Sequence, residues 1–267
     1  MTQFATLRGT RTAYALAGQG APILLIHGAE ANRESFSALA LALSSRPEAP
    51  LCVISYDQRE CGETSCDGSA HGIPELADDA AELMASLGFA RYAVMGTSLG
   101  GRVAQALAVK QPARVDALCL VNTWPLDCTL EALNPQGVDR LRSLRAGLPE
   151  TAAELAAMFY TREHVALHPA LAGRFARPGA VSRRAALALE THALPAGGIR
   201  ARTLCVSGTE DPIVPPAVMR ALAERIPAAE FESVPQAGHS IAVQAPEVLA
   251  QRLAQFCFPQ SGGIPSV

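Results

Sequence analysis

The chain has 267 residues, 49% of them hydrophobic, enough to bury one sizeable core without a disulfide or metal staple. Its formal net charge of −3, from 22 basic and 25 acidic residues, leaves no electrostatic footprint for nucleic acid or an anionic membrane surface. Seven cysteines, an odd number without metal-ligand spacing, argue against a disulfide framework or a metal centre.

Residues 1–8 lack a basic stretch followed by a long apolar run, so no secretory signal is expected. No run of about 18 apolar residues occurs that could cross a membrane, and a soluble cytoplasmic protein is the expectation. Two short patterns, Phe4–Arg8 and Thr10–Ala17, are split only by Gly9 and predict an antiparallel hairpin at a sheet edge. Apolar runs follow at 23–27, 51–56, 92–96, 116–121, 203–208 and 230–234. Helical spacing separates most of them, at 33–45, 74–87, 99–110, 216–226 and 245–256. Strands alternating with helices predict an α/β fold, a mainly parallel central sheet with helices on both faces. Cys52, Cys119 and Cys205 lie in strand patterns and read as small core residues; Cys61 and Cys66 read as free thiols sharing a loop.

Between Asn122 and Thr203 the alternation stops. The intervening residues read as helices at Leu130–Ala146, Thr151–Tyr160, His164–Arg174 and Ser182–Thr191, punctuated by Pro149, Pro169 and Pro178. A structureless loop of that length does not suit a compact domain. Residues 123–200 are therefore expected to form a helical cap inserted after the sixth strand, over the strand ends where open α/β sheets bind ligands. Residues 1–122 and 201–267 make up the core. His164 and His168 stand at i,i+4 without the glutamate of a zinc-protease pattern; they read as solvated or capping, and neither metal nor cofactor is expected.

The chemistry concentrates at residues 92–101, Tyr-Ala-Val-Met-Gly-Thr-Ser-Leu-Gly-Gly. An apolar strand runs into a glycine-flanked serine, and apolar residues then recur at helical spacing. Strand, sharp turn and helix predict that Ser98 sits in a strained conformation, its hydroxyl exposed beside free helix N-terminal N–H groups. Downstream, the polar turn Thr209–Pro215 follows one strand pattern, and Gln236-Ala237-Gly238-His239-Ser240 follows the next. A serine hydroxyl is a weak nucleophile at neutral pH and needs a base such as His239, which in turn needs an acid such as Asp211 to orient it. Glu210 and Asp127 are rival acids.

In these motifs the chain resembles the α/β-hydrolase family over nearly its full length, including the family's order of serine, acid and histidine. Ile23-Leu24-Leu25-Ile26-His27-Gly28-Ala29 is similar to the strand and His-Gly-x oxyanion loop. Asp57-Gln58-Arg59-Glu60-Cys61-Gly62-Glu63-Thr64-Ser65 is similar to the D-x-R-G-x-G-x-S loop, with one departure: Glu60 stands where most members have glycine. The resemblance implies Ser98, Asp211 and His239 as catalytic residues and the backbone N–H groups of Ala29 and Leu99 as oxyanion donors. His27, Gly28 and Trp124, at the entrance to the cap, are expected to border the substrate.

A serine nucleophile excludes the haloalkane dehalogenase and epoxide hydrolase branches, which use aspartate. The expected reaction is hydrolysis of a small to medium carboxylic ester, lactone or thioester, as in the carboxylesterase and enol-lactonase members. Perhydrolase, acyltransferase and carbon–carbon hydrolase chemistry use the same triad and stay open; Ala29-Glu30-Ala31-Asn32, in place of a Gly-Pro-Gly-like stretch, argues against the last. A hydrolase-fold ligand receptor is the alternative from another class. The expected partner is a small-molecule substrate, with homo-oligomerisation left open. Arg140, Arg142, Arg145 and Arg177 read as solvated helix residues, with binding of a substrate carboxylate as the alternative.

Overall fold

The computed structural model describes residues 1–46, 51–65, 71–176, 187, 190–191 and 194–259. Eight strands form one sheet: β1 (Gln3–Leu7), β2 (Thr10–Ala17), β3 (Ala21–Ile26), β4 (Leu51–Tyr56), β5 (Tyr92–Thr97), β6 (Val115–Val121), β7 (Arg202–Gly208) and β8 (Glu230–Val234). Their spatial order is β1-β2-β4-β3-β5-β6-β7-β8. β1 and β2 pair antiparallel, as do β2 and β4, and every other pair is parallel. The edge hairpin turns on Arg8 and Gly9, both at left-handed φ (46° and 83°), which matches the twist of the strands it joins.

The parallel strands read as continuous apolar runs because both faces are covered. Successive side chains alternate between those faces. Leu24, Ile26, Ile54, Val94, Leu118 and Leu120 point to one side, where they pack with Leu76, Leu83, Val103 and Leu107. These partners come from α2 (Ile73–Ser86) and α3 (Leu99–Lys110). Ile23, Leu25, Val53, Ala93, Met95 and Val121 point to the other side, against Leu39 and Leu43 of α1 (Ser37–Ser44) and against Leu249 and Leu253 near the C-terminus.

Chain order and register place the site. From β3 the chain runs outward to β4, then crosses back to β5 on the opposite side of β3 and continues through β6, β7 and β8. Adjacent connections therefore diverge between β3 and β5, the switch point at which open sheets leave a crevice. Ile26 pairs with Gly96, Thr97 with Val121, Val121 with Val206, and Gly208 with Val234. The carboxyl ends of five strands thus share one edge.

Between β6 and β7 lie α4 (Leu130–Leu133), α5 (Pro135–Ala146), α6 (Ala152–Phe159), α7 (Arg162–Leu167) and α8 (Ala170–Gly173). Two helices expected to be continuous are broken. Asn134 (φ −148°, ψ 71°) separates α4 from α5, and His168 (φ −129°, ψ 66°) separates α7 from α8. Each precedes a proline, whose ring excludes the helical conformation from the residue before it. Most of the expected helix Ser182–Thr191, together with Cys66, Arg177 and Pro178, lies outside the described residues. After β7 come α9 (Pro216–Arg225), α10 (Ile241–Gln244) and α11 (Pro246–Cys257). No helix among the described residues is long and apolar enough to cross a membrane.

Arg102 of α3 ties the inserted segment to the core. Fully buried, it donates to the carbonyl oxygens of Leu126 (2.8 Å), Leu187 (3.1 Å) and Glu190 (2.6 Å). Its guanidinium lies 5.3 Å from the Trp124 ring centroid. Burial lowers its pKa to about 10, so it keeps its charge at neutral pH.

Cys119, Cys205 and Cys257 are buried, and desolvation pushes the Cys205 and Cys257 thiols up to about 12. Alkylation with iodoacetamide at about pH 8, mapped by peptide mass spectrometry, is expected to spare all three in the folded protein and modify them in denaturant. Modification of any of them under native conditions would contradict the packing described.

Candidate active site

Ser98 bridges β5 and α3 at φ 54°, ψ −124°, a backbone conformation that L-residues rarely adopt. It remains partly exposed. Its neighbours hold it there: Ser98 N–H donates to the Val121 carbonyl (3.0 Å), and its own carbonyl accepts from Gly101 N–H (2.9 Å) and the Thr123 hydroxyl (2.6 Å). Gly100 must be glycine for reasons of space, since a Cβ there would overlap the carbonyl oxygens of Ile26 and His27. The turn therefore lies directly against the end of β3. Leu99 opens α3, so its N–H lies in the first turn, where backbone donors lack intrahelical partners.

Asp211 stands three residues beyond β7 and His239 five beyond β8, and both are buried. Asp211 Oδ1 accepts the N–H groups of Ile213 (2.8 Å) and Val214 (3.0 Å), which fixes the carboxylate plane. Its Oδ2 lies 2.8 Å from His239 Nδ1. A carboxylate at that nitrogen selects the tautomer with the proton on Nδ1, leaving Nε2 as a proton acceptor. The rival acids lie elsewhere. Glu210 is exposed. Asp127 pairs with Arg225 at the surface, and that guanidinium holds its carboxyl below the usual range. Consecutive residues at the end of β6 connect the two halves: Asn122 bonds to the His239 loop and Thr123 to Ser98. No hydrogen bond among the described residues joins the Ser98 hydroxyl to the imidazole; such contacts are often long in free enzymes and tighten with substrate.

The loop after β3 lies against the serine, where a Cβ on Gly28 would fall 3.2 Å from Ser98 Cβ. Ala29 is half-buried beside it. His27, expected to border the substrate, is fully buried at the end of β3. Its Nε2 accepts the Gln58 N–H (3.1 Å), its Nδ1 faces Gly28 O (2.7 Å), and its carbonyl accepts the Gln58 amide (2.6 Å). With both ring nitrogens engaged internally, His27 braces the loop. Trp124 is 2% exposed and packs against Arg102 in the core.

The loop after β4 supports this arrangement. Asp57, fully buried, accepts the N–H groups of Arg33 and Glu63 (2.8 Å each) and pairs with the Arg33 guanidinium. Glu60 has φ 65°, a left-handed conformation that glycine adopts freely and that costs a side-chain-bearing residue about 1–2 kcal/mol. Arg59 forks onto buried Asp79 (2.6 and 3.0 Å), whose carboxyl is pushed up by burial even so.

From the inserted segment, Phe159 sets its ring edge-on to His239 (centroids 5.8 Å) and stacks on Phe175 (5.1 Å). Ser240 N–H donates to Phe159 O (2.8 Å), and Gln244 Oε1 accepts from Gly238 N–H (2.9 Å) and Thr161 N–H (3.3 Å). Arg140 pairs with Glu154, Arg142 with Glu131 and Asp139, and Arg145 with Glu30, so each described candidate for a substrate carboxylate already faces an acidic side chain. The His164 and His168 rings lie 4.5 Å apart, with His164 against Tyr160, and no cluster of three or more metal-ligating side chains occurs among the described residues.

A family model for the alpha/beta hydrolase fold matches residues 21–246. A protein named "Putative carbamate hydrolase RutD" from Agrobacterium fabrum is 28% identical over 219 residues, covering 78% of this chain and 83% of that protein. A thermophilic esterase from Thermogutta terrifontis, solved with malate bound, is 26% identical with a TM-score of 0.75, covering 96% of this chain and 97% of that one. An enol-lactonase from Burkholderia xenovorans LB400 shares the fold at a TM-score of 0.78 and 23% identity, over 95% and 99% of the two chains.

Gly100→Ala tests the close approach of the serine turn to β3. Because the overlap is with backbone, relief requires the strand or the turn to move, and a loss of about 3 kcal/mol is expected in chemical denaturation. A change below about 0.5 kcal/mol, the scale of an uncrowded surface substitution, would show that the contact is not tight.

Proposed function

This chain belongs to the alpha/beta hydrolase fold family, and we propose that within it the protein is a serine hydrolase of small to medium carboxylic esters, lactones or thioesters. The observation that carries the proposal is the buried His239–Asp211 pair at 2.8 Å, set on the same sheet edge as a serine in a strained strand–helix turn. Neither feature has an evident structural purpose alone. A buried imidazole–carboxylate pair costs desolvation, and a left-handed serine stores strain; together they meet the needs of acyl transfer.

In this reading Ser98 Oγ attacks the substrate carbonyl carbon while His239 Nε2 takes the hydroxyl proton. Asp211 stays ionised and stabilises the imidazolium that forms. The carbonyl oxygen, now an anion, is met by the N–H groups of Ala29 and Leu99, with Gly28 allowing close approach. Collapse of the tetrahedral intermediate expels the alcohol or thiol, protonated by His239, and leaves an acyl ester on Ser98. Water repeats the sequence to release the acid. Residues 123–200 serve as the cap, and Phe159 and Phe175 beside His239 are its wall against the acyl group. That short aromatic wall favours small and medium acyl chains.

The carbamate hydrolase name carried by a relative of similar length supports a second reading, a carbamate as substrate. A carbamate carbonyl is attacked in the same way and needs the same donors. A ligand receptor on this fold would bind such compounds without turnover.

The test is kcat/KM across aryl esters from acetate to palmitate, with a lactone, a thioester and an aryl carbamate in the panel. Best rates are expected at acyl chains of about eight carbons or fewer, and Ser98→Ala is expected to lower kcat by about a million-fold without loss of fold. Retention of more than about a tenth of the activity would overturn the role of Ser98. An optimum at dodecanoate or longer would overturn the small-acyl preference, and preferred turnover of the carbamate would establish the second reading.

A further inference from the structure

Asn122 is the first residue beyond β6, the strand between the one that delivers Ser98 and the one that delivers Asp211. Its side chain is fully buried. Its φ is 45°, in the left-handed region that asparagine tolerates better than most side-chain-bearing residues. The amide uses its acceptor and both donor hydrogens on two different loops. Oδ1 accepts Gly208 N–H (2.9 Å) at the end of β7, and Nδ2 donates to Gly238 O (3.0 Å) and His239 O (2.7 Å) beyond β8. The two loops lie so close that a Cβ on Gly208 would overlap the carbonyl oxygens of Ala237 and Gly238.

We propose that Asn122 is a positioning residue that sets His239 against Asp211, a role that rests on the triad reading above. Its amide is a three-point brace on the backbone of both partners. One end holds the start of the turn that carries Asp211; the other holds the carbonyl of His239 itself. A hydroxyl or a carboxylate in its place could not donate two hydrogen bonds while accepting one. Asn122 touches neither substrate nor the reacting atoms, so it acts through the imidazole. The adjoining Thr123 holds the Ser98 carbonyl at 2.6 Å, so a single dipeptide fixes the backbone on either side of the reacting pair. Proton transfer and attack depend steeply on such placement, since a displacement of about 1 Å can cost about a hundredfold in rate.

Asn122→Gly is the informative variant. Glycine accepts φ 45° without strain, so the substitution removes the amide while leaving the backbone free to keep its course. Asn122→Leu, which keeps the branching of the amide but is apolar and larger, is the second variant. Both are assayed on the best aryl ester beside His239→Ala and the double variant Asn122→Gly/His239→Ala. The expected result is a kcat about a hundredfold lower with KM within about threefold of wild type. In the His239→Ala background, Asn122→Gly should cost less than about threefold more, because a residue acting through the imidazole has nothing left to position.

Activity of Asn122→Gly within threefold of wild type, while His239→Ala is inactive, would overturn the proposal and leave the triad reading standing. So would a loss of equal size in both backgrounds. If His239→Ala itself keeps wild-type activity, the triad reading fails first and the positioning role fails with it.

Discussion

The site depends on one steric constraint: the backbone of the serine turn must lie against the end of β3. Gly100 makes this possible by having no side chain where the carbonyl oxygens of Ile26 and His27 stand. The same approach brings Gly28 within reach of Ser98, so one contact places the serine and the loop expected to receive the carbonyl oxygen. The strain in Ser98 is maintained by hydrogen bonds with Val121 at the end of β6, with Thr123 just beyond it and with Gly101 in the first turn of α3.

Around this contact the fold spends its buried polar groups on holding loops. His27 and Gln58 lock the loop after β3 to the loop after β4, Asp57 with Arg33 ties the same two loops again, and Glu63 N–H closes the latter on Asp57. Arg102 fastens the inserted helices to α3 through three carbonyl oxygens. Such groups are costly to bury without partners, and the bonds they make fix the loops at the carboxyl edge by polar contacts beneath a sheet held by apolar ones. The inserted segment meets the His239 loop through Phe159 O and Gln244, which links any movement of those helices to the imidazole's setting.

The strands were legible because burial on both faces writes itself as unbroken apolar runs, and the order serine, acid, histidine could be read along the chain. Helix interruptions at Asn134 and His168 were visible in principle as residues before proline, but the apolar periodicity across them dominated the reading. The burial of His27 and Trp124 was not legible for a different reason. Their sequence positions adjoin the site, yet the direction of each side chain is set by Gln58 and Arg102, residues distant in the chain whose contacts leave no periodic trace. Asn122 was equally silent, a polar residue ending an apolar strand whose partners lie about ninety and more positions downstream. Among the three candidate acids the family resemblance favoured Asp211, and burial beside His239 separates it from exposed Glu210 and from Asp127, which is engaged by Arg225.

Covalent labelling with a fluorophosphonate, mapped by peptide mass spectrometry while ester turnover is followed, tests the central claim most directly. The proposed triad predicts one adduct per chain, on Ser98, with activity lost in proportion to labelling. Full turnover after stoichiometric modification of Ser98, or an adduct on another residue that accounts for the inactivation, would contradict it.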